Sequence, residues 1–251
     1  MITKIFLLCV AGFLAAFVDS IAGGGGLISV PAFMLAGLPP HMVLGTNKFC
    51  STAGSFTSSL GFIKSGKANF KLLKYLIPFT FIGSLFGVKA VLNVDQKFLN
   101  GLVLILIMFI GIYTLFSKSL GLQDKFHGLT RKNVILGVIL ALSLGFYDGF
   151  FGPGTGSFLV FGFISIFGFN FVSSSANARI LNFISNVTSL ILFALSGKIN
   201  YTIGIPVAIS MIIGAKMGTS VALTKGSKLI KPIFITMSLA VALKMLITML
   251  Q

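Results

Sequence analysis

What most restricts this chain is a succession of apolar runs, each about twenty residues long, with charges held to their ends. A run of that length spans the hydrocarbon core of a bilayer as a helix. The runs are continuous, without the in–out alternation of barrel strands, so a transmembrane β-barrel is excluded. Composition agrees: 56% of the 251 residues are hydrophobic, 9% are charged and the mean hydropathy is +1.05. A soluble domain carries about 25% charged residues. This chain cannot cover a water-facing surface, so it reads as an all-α polytopic membrane protein with the lipid bilayer as its partner. Phe at 27 and Gly at 29, with no Trp, suit lipid-facing helices in close mutual contact.

The net charge of +15 comes from 19 Lys and Arg against four acids, all Asp. In a soluble protein this would point to nucleic acid. Here the cations gather between apolar runs, as Lys64, Lys67, Lys71 and Lys74 and as Lys118, Lys125, Arg131 and Lys132. That is the positive-inside pattern of a multi-pass protein, and no nucleic-acid partner is expected. Cys9 and Cys50 are isolated, His41 and His127 are distant from each other, and Glu is absent. Neither a disulfide framework nor a metal site, cofactor or catalytic residue is expected. Lys4, the apolar stretch from Ile5 to Val18 and Ser20-Ile21-Ala22 together resemble a cleavable signal. Cleavage would remove Asp19, which has a counterpart later in the chain, so the segment is expected to be retained as a helix.

The chain matches itself. Ser65-Gly66-Lys67-Ala68-Asn69-Phe70 corresponds to Ser196-Gly197-Lys198-Ile199-Asn200-Tyr201, an offset of 131. The same offset pairs Gly23 with Gly154, Gly25 with Gly156, Lys48 with Arg179, Gly83 with Gly214 and Gly87 with Gly218. After a two-residue slip Asp19 pairs with Asp148. A biased composition could produce the glycines by chance, but hardly the Ser-Gly-Lys-x-Asn-aromatic block in register with an intramembrane cation. Two homologous halves, 1–117 and 132–251, are expected on either side of a basic cytoplasmic linker, 118–131.

Each half predicts the same order of elements. A long helix (about 3–21; about 132–151) runs into a glycine-rich break at Gly23–Gly26 or Gly152–Gly156. A short apolar piece follows (about 27–37; about 157–169), then a polar-flecked long helix (about 42–64; about 173–196). Two further spans close each half (about 70–92 and 97–117; about 201–223 and 229–250). All four long helices per half are long enough to span. If the short piece does not cross, the halves are parallel; if it crosses, they are inverted. Four lysines at 64–74 face only Lys198 in the matching loop, whereas Lys225, Lys228 and Lys231 face Lys89 and Lys97. The basic side swaps between halves, which favours inversion.

Asp19 and Asp148 end apolar helices beside the glycine breaks, and Lys48 and Arg179 lie inside the polar-flecked helices. A charge left in hydrocarbon costs at least ~2.5–3.5 kcal/mol, so such groups are paired or line a wet cavity. One reading is neutralisation within each half, Asp19 with Lys48 and Asp148 with Arg179. The other makes the cations an anion site, and the two can coexist if substrate displaces a partner. Irregular backbone at membrane depth survives where it is buried in protein or faces water. A short helix after such a break aims unpaired N–H groups at the gap, which suits an anion; close helix packing is the plainer use of the same glycines. Lys48, Ser51, Thr52 and Ser55 share one helix face, as do Arg179, Asn182, Ser185 and Asn186. The candidate substrate contacts are Lys48, Arg179, Asn47, Ser51, Asn177 and Asn182, with the backbone of Gly24, Gly25, Gly26, Gly154, Thr155 and Gly156. Asp19 and Asp148 are candidates for proton coupling or for structural pairing.

Two signatures carry a family resemblance. Asp19-Ser-Ile-Ala-Gly-Gly-Gly-Gly-Leu, Ala36-Gly-Leu-Pro-Pro-His and Gly45-Thr-Asn-Lys form the first. Gly145-Phe-Tyr-Asp-Gly-Phe-Phe-Gly-Pro-Gly-Thr-Gly with Ser175-Ala-Asn-Ala-Arg forms the second. Together they resemble the sulfite exporter (TauE/SafE) family over essentially the whole chain. The resemblance implies a duplicated permease of the bacterial inner membrane that moves sulfite, sulfonates or related organosulfur anions, often outward. The expectation is therefore a secondary transporter of a small anion, proton-coupled through the aspartates. A passive anion channel and a membrane-protein insertase or assembly factor are the alternatives. Gly83/Gly87 and Gly214/Gly218 have the spacing of tight helix contacts, within the chain or in a homodimer.

Overall fold

The computed structural model describes residues 2–99, 105, 123–126 and 128–225. The expected spans at 97–117 and 229–250, most of the linker and His127 lie outside the described residues. What is described is helical: α1 Ile2–Ala22, α2 Gly26–Leu35, α3 Pro40–Lys64, α4 Phe70–Leu92, α5 Arg131–Phe150, α6 Thr155–Phe167, α7 Phe171–Leu195 and α8 Tyr201–Lys225. Their lengths run 21, 10, 25 and 23 residues, then 20, 13, 25 and 25.

Five described helices, α1, α4, α5, α7 and α8, are long and apolar enough to span a membrane. The expectation that every long helix qualifies fails at α3. It has the length of α7 but carries Asn47, Lys48 and seven Ser or Thr residues between Thr46 and Ser59. Packing removes the difficulty, since Thr46, Asn47, Lys48, Ser55, Ser58 and Ser59 are all buried in protein. The large exposed apolar side chains sit mostly on the outer helices: Phe6 and Leu7 of α1, Phe79 and Phe86 of α4, Ile139 and Phe146 of α5, Ile209 and Ile213 of α8. Apolar groups face outward and polar ones inward, the arrangement that hydrocarbon as solvent selects.

Local chemistry ends the helices where it should. Thr130 and Asn133 form a reciprocal capping box at α5, with the Asn133 N–H 3.2 Å from Thr130 Oγ1 and the Thr130 N–H 2.8 Å from Asn133 Oδ1. Asn69 accepts the Leu72 N–H at 3.1 Å and Asn200 the Ile203 N–H at 3.1 Å, starting α4 and α8. Each of these asparagines also ties its loop to a distant helix. The Asn69 N–H donates to Asn177 of α7 and the Asn200 N–H to Thr46 of α3, both at 2.9 Å. The Ser-Gly-Lys-x-Asn-aromatic block is thus a cap and a dock at once.

Direct helix contacts fix the mutual directions. Gly83 rests on Leu142 and Phe146, and Gly87 on Phe146 and Phe150, while Gly145 and Gly149 rest on Thr80 and Ser84, so α4 and α5 run parallel. Gly214 on Phe13 and Gly218 on Phe17 make α8 parallel to α1. The Cys50 thiol donates to the Gly204 carbonyl at 3.3 Å and Gly61 abuts Thr219, which sets α3 parallel to α8. Asn69 on Asn177 and Ser84 on Ser185 make α4 parallel to α7. Between these groups the sense reverses: Lys48 meets Asn186, Phe56 meets Phe183 with centroids 5.4 Å apart, and the Ser59 hydroxyl donates to the Arg179 carbonyl at 3.0 Å. Helices α3 and α7 are therefore antiparallel at the centre. The Gly83/Gly87 and Gly214/Gly218 faces are occupied inside the chain.

Candidate functional site

Both glycine breaks lie where α1 and α5 give way to the short helices. Gly23 and Gly24 have φ of 81° and 102°, and Gly152 and Gly154 have 100° and 84°, a backbone region that side chains with a Cβ rarely enter. The breaks touch one another. A Cβ on Gly23 would come within 2.2 Å of the Ser157 nitrogen, and one on Gly26 within 2.9 Å of Pro153 Cα. The glycines thus serve close packing as well as irregular backbone.

A polar cavity lies at this junction. Asp19, Asn47, Lys48, Ser51, Asp148 and Asn182 line it, as do Gly24, Gly25, Gly26, Gly154 and Gly156. These are eleven of the fourteen expected site residues. The other three lie outside the lining. Asn177 is fully buried, accepting from Asn69 and donating through Nδ2 to the Ser173 carbonyl at 2.8 Å, so it holds a loop. Thr155 is spent on its own turn, its Oγ1 donating to the Gly152 carbonyl at 2.7 Å. Arg179 is buried behind the wall, its Nη2 against Gly156.

The charges pair, but not as the sequence led one to expect. Lys48 Nζ lies 3.0 Å from Asp148 Oδ2, and Arg179 Nη1 pairs with Asp19 Oδ2. Each cation thus meets the acid more distant from it in the sequence. The within-half pairing is wrong because α3 and α7 lie side by side in opposite sense, and this swings each basic side chain to the far break. Lys48 also donates to Asn186 Oδ1 at 3.2 Å, and the Ser185 hydroxyl donates to Asp148 Oδ2. Asn186 in turn donates to Asn182 Oδ1 at 3.2 Å. Asp19 Oδ1 accepts the backbone N–H of Gly25 at 3.1 Å.

Three lining residues with polar side chains were not among the site residues expected from the sequence. Asn186 and Ser55 belong to the polar stripes, and only their neighbours decide that they reach the cavity. Ser29 of α2 gave no signal in spacing; its hydroxyl meets Asn47 Oδ1 at 2.6 Å and the Gly25 carbonyl at 3.2 Å. The His41 ring meets the Val91 carbonyl at 3.0 Å, and Cys9 and Cys50 are free thiols. No group of three metal-ligating side chains occurs among the described residues.

Among the described residues the backbone N–H groups of Gly24, Gly26, Gly154 and Gly156 have no acceptor, whereas that of Gly25 is used by Asp19 and that of Thr155 by Gly152. The glycines of both breaks, a lysine and several amides and hydroxyls line one polar chamber. That combination defines a polytopic membrane protein with a polar site buried among its helices. The sulfite exporter TauE/SafE family matches residues 8–245, and the chain belongs to it. Over 239 residues it is 39% identical to a probable membrane transporter protein of Haemophilus influenzae, covering 95% of this chain and 92% of that one. It is 39% identical to the probable membrane transporter protein YfcA of Escherichia coli, covering 93% and 86%. A probable membrane transporter protein of a Sinorhizobium species is 35% identical, covering 95% and 91%. No solved structure matches the chain. The protein is a multi-pass membrane transporter of this family.

Proposed function

We propose that the protein is a secondary transporter of small anions, of the sulfite, sulfonate or related organosulfur class, working by alternating access between two duplicated halves. The observation that carries this reading is the cavity itself. It combines Lys48 with the glycine backbone at Gly24, Gly26, Gly154 and Gly156, whose N–H groups have no acceptor among the described residues. An oxyanion has the acceptor lone pairs to meet these donors. Asn47, Ser51 and Asn182 supply further polar contacts, Arg179 backs the site through Asp19, and Asp19 and Asp148 are the candidate proton carriers.

The reversed sense of α3 and α7 supports inverted halves. The offset of 131 makes these helices equivalents, and equivalents related by an axis along the membrane normal would run parallel. The same geometry puts Lys64, Lys67, Lys71, Lys74, Arg131, Lys132 and Lys225 at one end of the bundle and Lys4, Lys89 and Lys198 at the other. We assign the richer end, with the linker 118–131, to the cytoplasm.

The test is transport of labelled sulfite and small sulfonates into proteoliposomes. Saturable flux that can be driven uphill by a second gradient is expected, and abolished in Lys48→Ala. Unsaturable, strictly downhill flux identifies a passive channel instead, and no flux of any organosulfur anion refutes the substrate class.

A further inference from the structure

Asp19 and Asp148 hold matching places in the sequence but unequal places in the structure. Asp148 is 2% exposed and is held by Lys48 and Ser185, whereas Asp19 is 25% exposed on the cavity wall. The two oxygens of Asp19 are taken by the Gly25 N–H, at the start of the ten-residue helix α2, and by Arg179 Nη1. A helix N-terminus and a guanidinium are what an oxyanion would seek. More donors are present than Asp19 can satisfy. Arg179 is 0% exposed, yet its Nε and Nη2 have no acceptor among the described residues. Its Nη2 abuts Gly156, a residue of the cavity wall.

Charge balance adds a constraint. Among the described residues, Lys48 from α3, Arg179 from α7 and Asp148 from α5 face Asp19, and α2, α6 and α8 contribute only neutral groups to the cavity wall, such as Ser29, Gly156 and Met211. Two cations and two carboxylates sum to zero. An anion entering alone leaves an uncompensated charge in a poorly solvated chamber, which is costly.

Resting on the anion-transporter reading, we propose that the Asp19 carboxylate is a tethered occupant of the substrate's oxyanion position. A monoanion displaces it from Arg179 and Gly25 as Asp19 takes up one proton from the facing solution. One O–H bond forms on Asp19, the ionic contact to Arg179 passes to the substrate, and the chamber stays neutral. Release on the far side reverses both events, so anion and proton cross one to one and the cycle moves no net charge.

Methanesulfonate, which stays ionised throughout, is the probe, with the full chain in detergent and in proteoliposomes. For the wild type, affinity should weaken as pH rises, by up to tenfold per pH unit, with one proton taken up per anion bound. Its flux should follow a pH gradient and ignore an imposed membrane potential. Asp19→Asn keeps an acceptor for the Gly25 N–H but cannot take the proton. It should bind with pH-independent affinity, and its flux should follow the potential instead. Asp19→Ser should behave the same way and serves if the amide variant does not fold. A slope that survives in the Asp19 variants, or wild-type flux that follows the potential, overturns the proposal and leaves the anion reading intact. No binding of methanesulfonate, sulfite or any other organosulfur anion at any pH overturns both.

Discussion

Replacing Lys48 by Met separates what the buried charges do for folding from what they do for transport. Lys48 and Asp148 are each 2% exposed and 3.0 Å apart. Met fills most of the lysine's volume, so the loss is chiefly electrostatic. Asp148 keeps the Ser185 hydroxyl but loses its counterion, and an unpaired buried charge costs about 3–5 kcal/mol. The apparent melting temperature in detergent should fall by roughly 10 °C, taking about 2–4 °C per kcal/mol for a chain of this size. Adding Asp148→Leu removes the stranded carboxylate. Because replacing both members of a buried pair by apolar groups is often neutral or stabilising, the double variant should recover most of the lost stability. It should not recover anion flux, since no ammonium then faces the cavity. A single variant as stable as the wild type would refute the burial of the pair. A double variant that transports normally would refute Lys48 as a substrate contact.

Other expectations follow from packing and access. In Gly87→Val the new Cβ meets the Phe146 carbonyl at 2.1 Å, forcing α4 and α5 apart; about 1–3 kcal/mol or more should be lost, read by denaturant unfolding in detergent. With Cys9 and Cys50 replaced, Ser55→Cys should react with a polar thiol reagent and be protected by substrate, because Ser55 lines the cavity. Ser59→Cys, buried against the Arg179 carbonyl, should stay unlabelled. Cysteines at Lys67 and Lys198 should react from opposite faces of intact cells, Lys67 from the cytoplasm; labelling of both from one face would refute the inverted arrangement.

The elements themselves were legible in the sequence because what sets them is local. Apolar length predicts 70–92 and the helix found is Phe70–Leu92; the other described helices end within two residues of their expected limits. The glycine breaks were equally plain, since Gly23, Gly24, Gly152 and Gly154 adopt backbone that few other residues tolerate. So was the anomaly of Asp19, Lys48, Asp148 and Arg179, because hydrocarbon tolerates no lone charge. Partnership was not legible. Which acid meets which base depends on α3 and α7 lying side by side in opposite directions, and helical periodicity says which face is polar without naming what it faces. For the same reason the sequence placed Arg179 and Lys48 on an equal footing, while the fold brings Lys48 to the cavity and buries Arg179 behind Asp19. Local solvation sets the helices and their polar faces; only the crossing of distant helices joins those faces into a site.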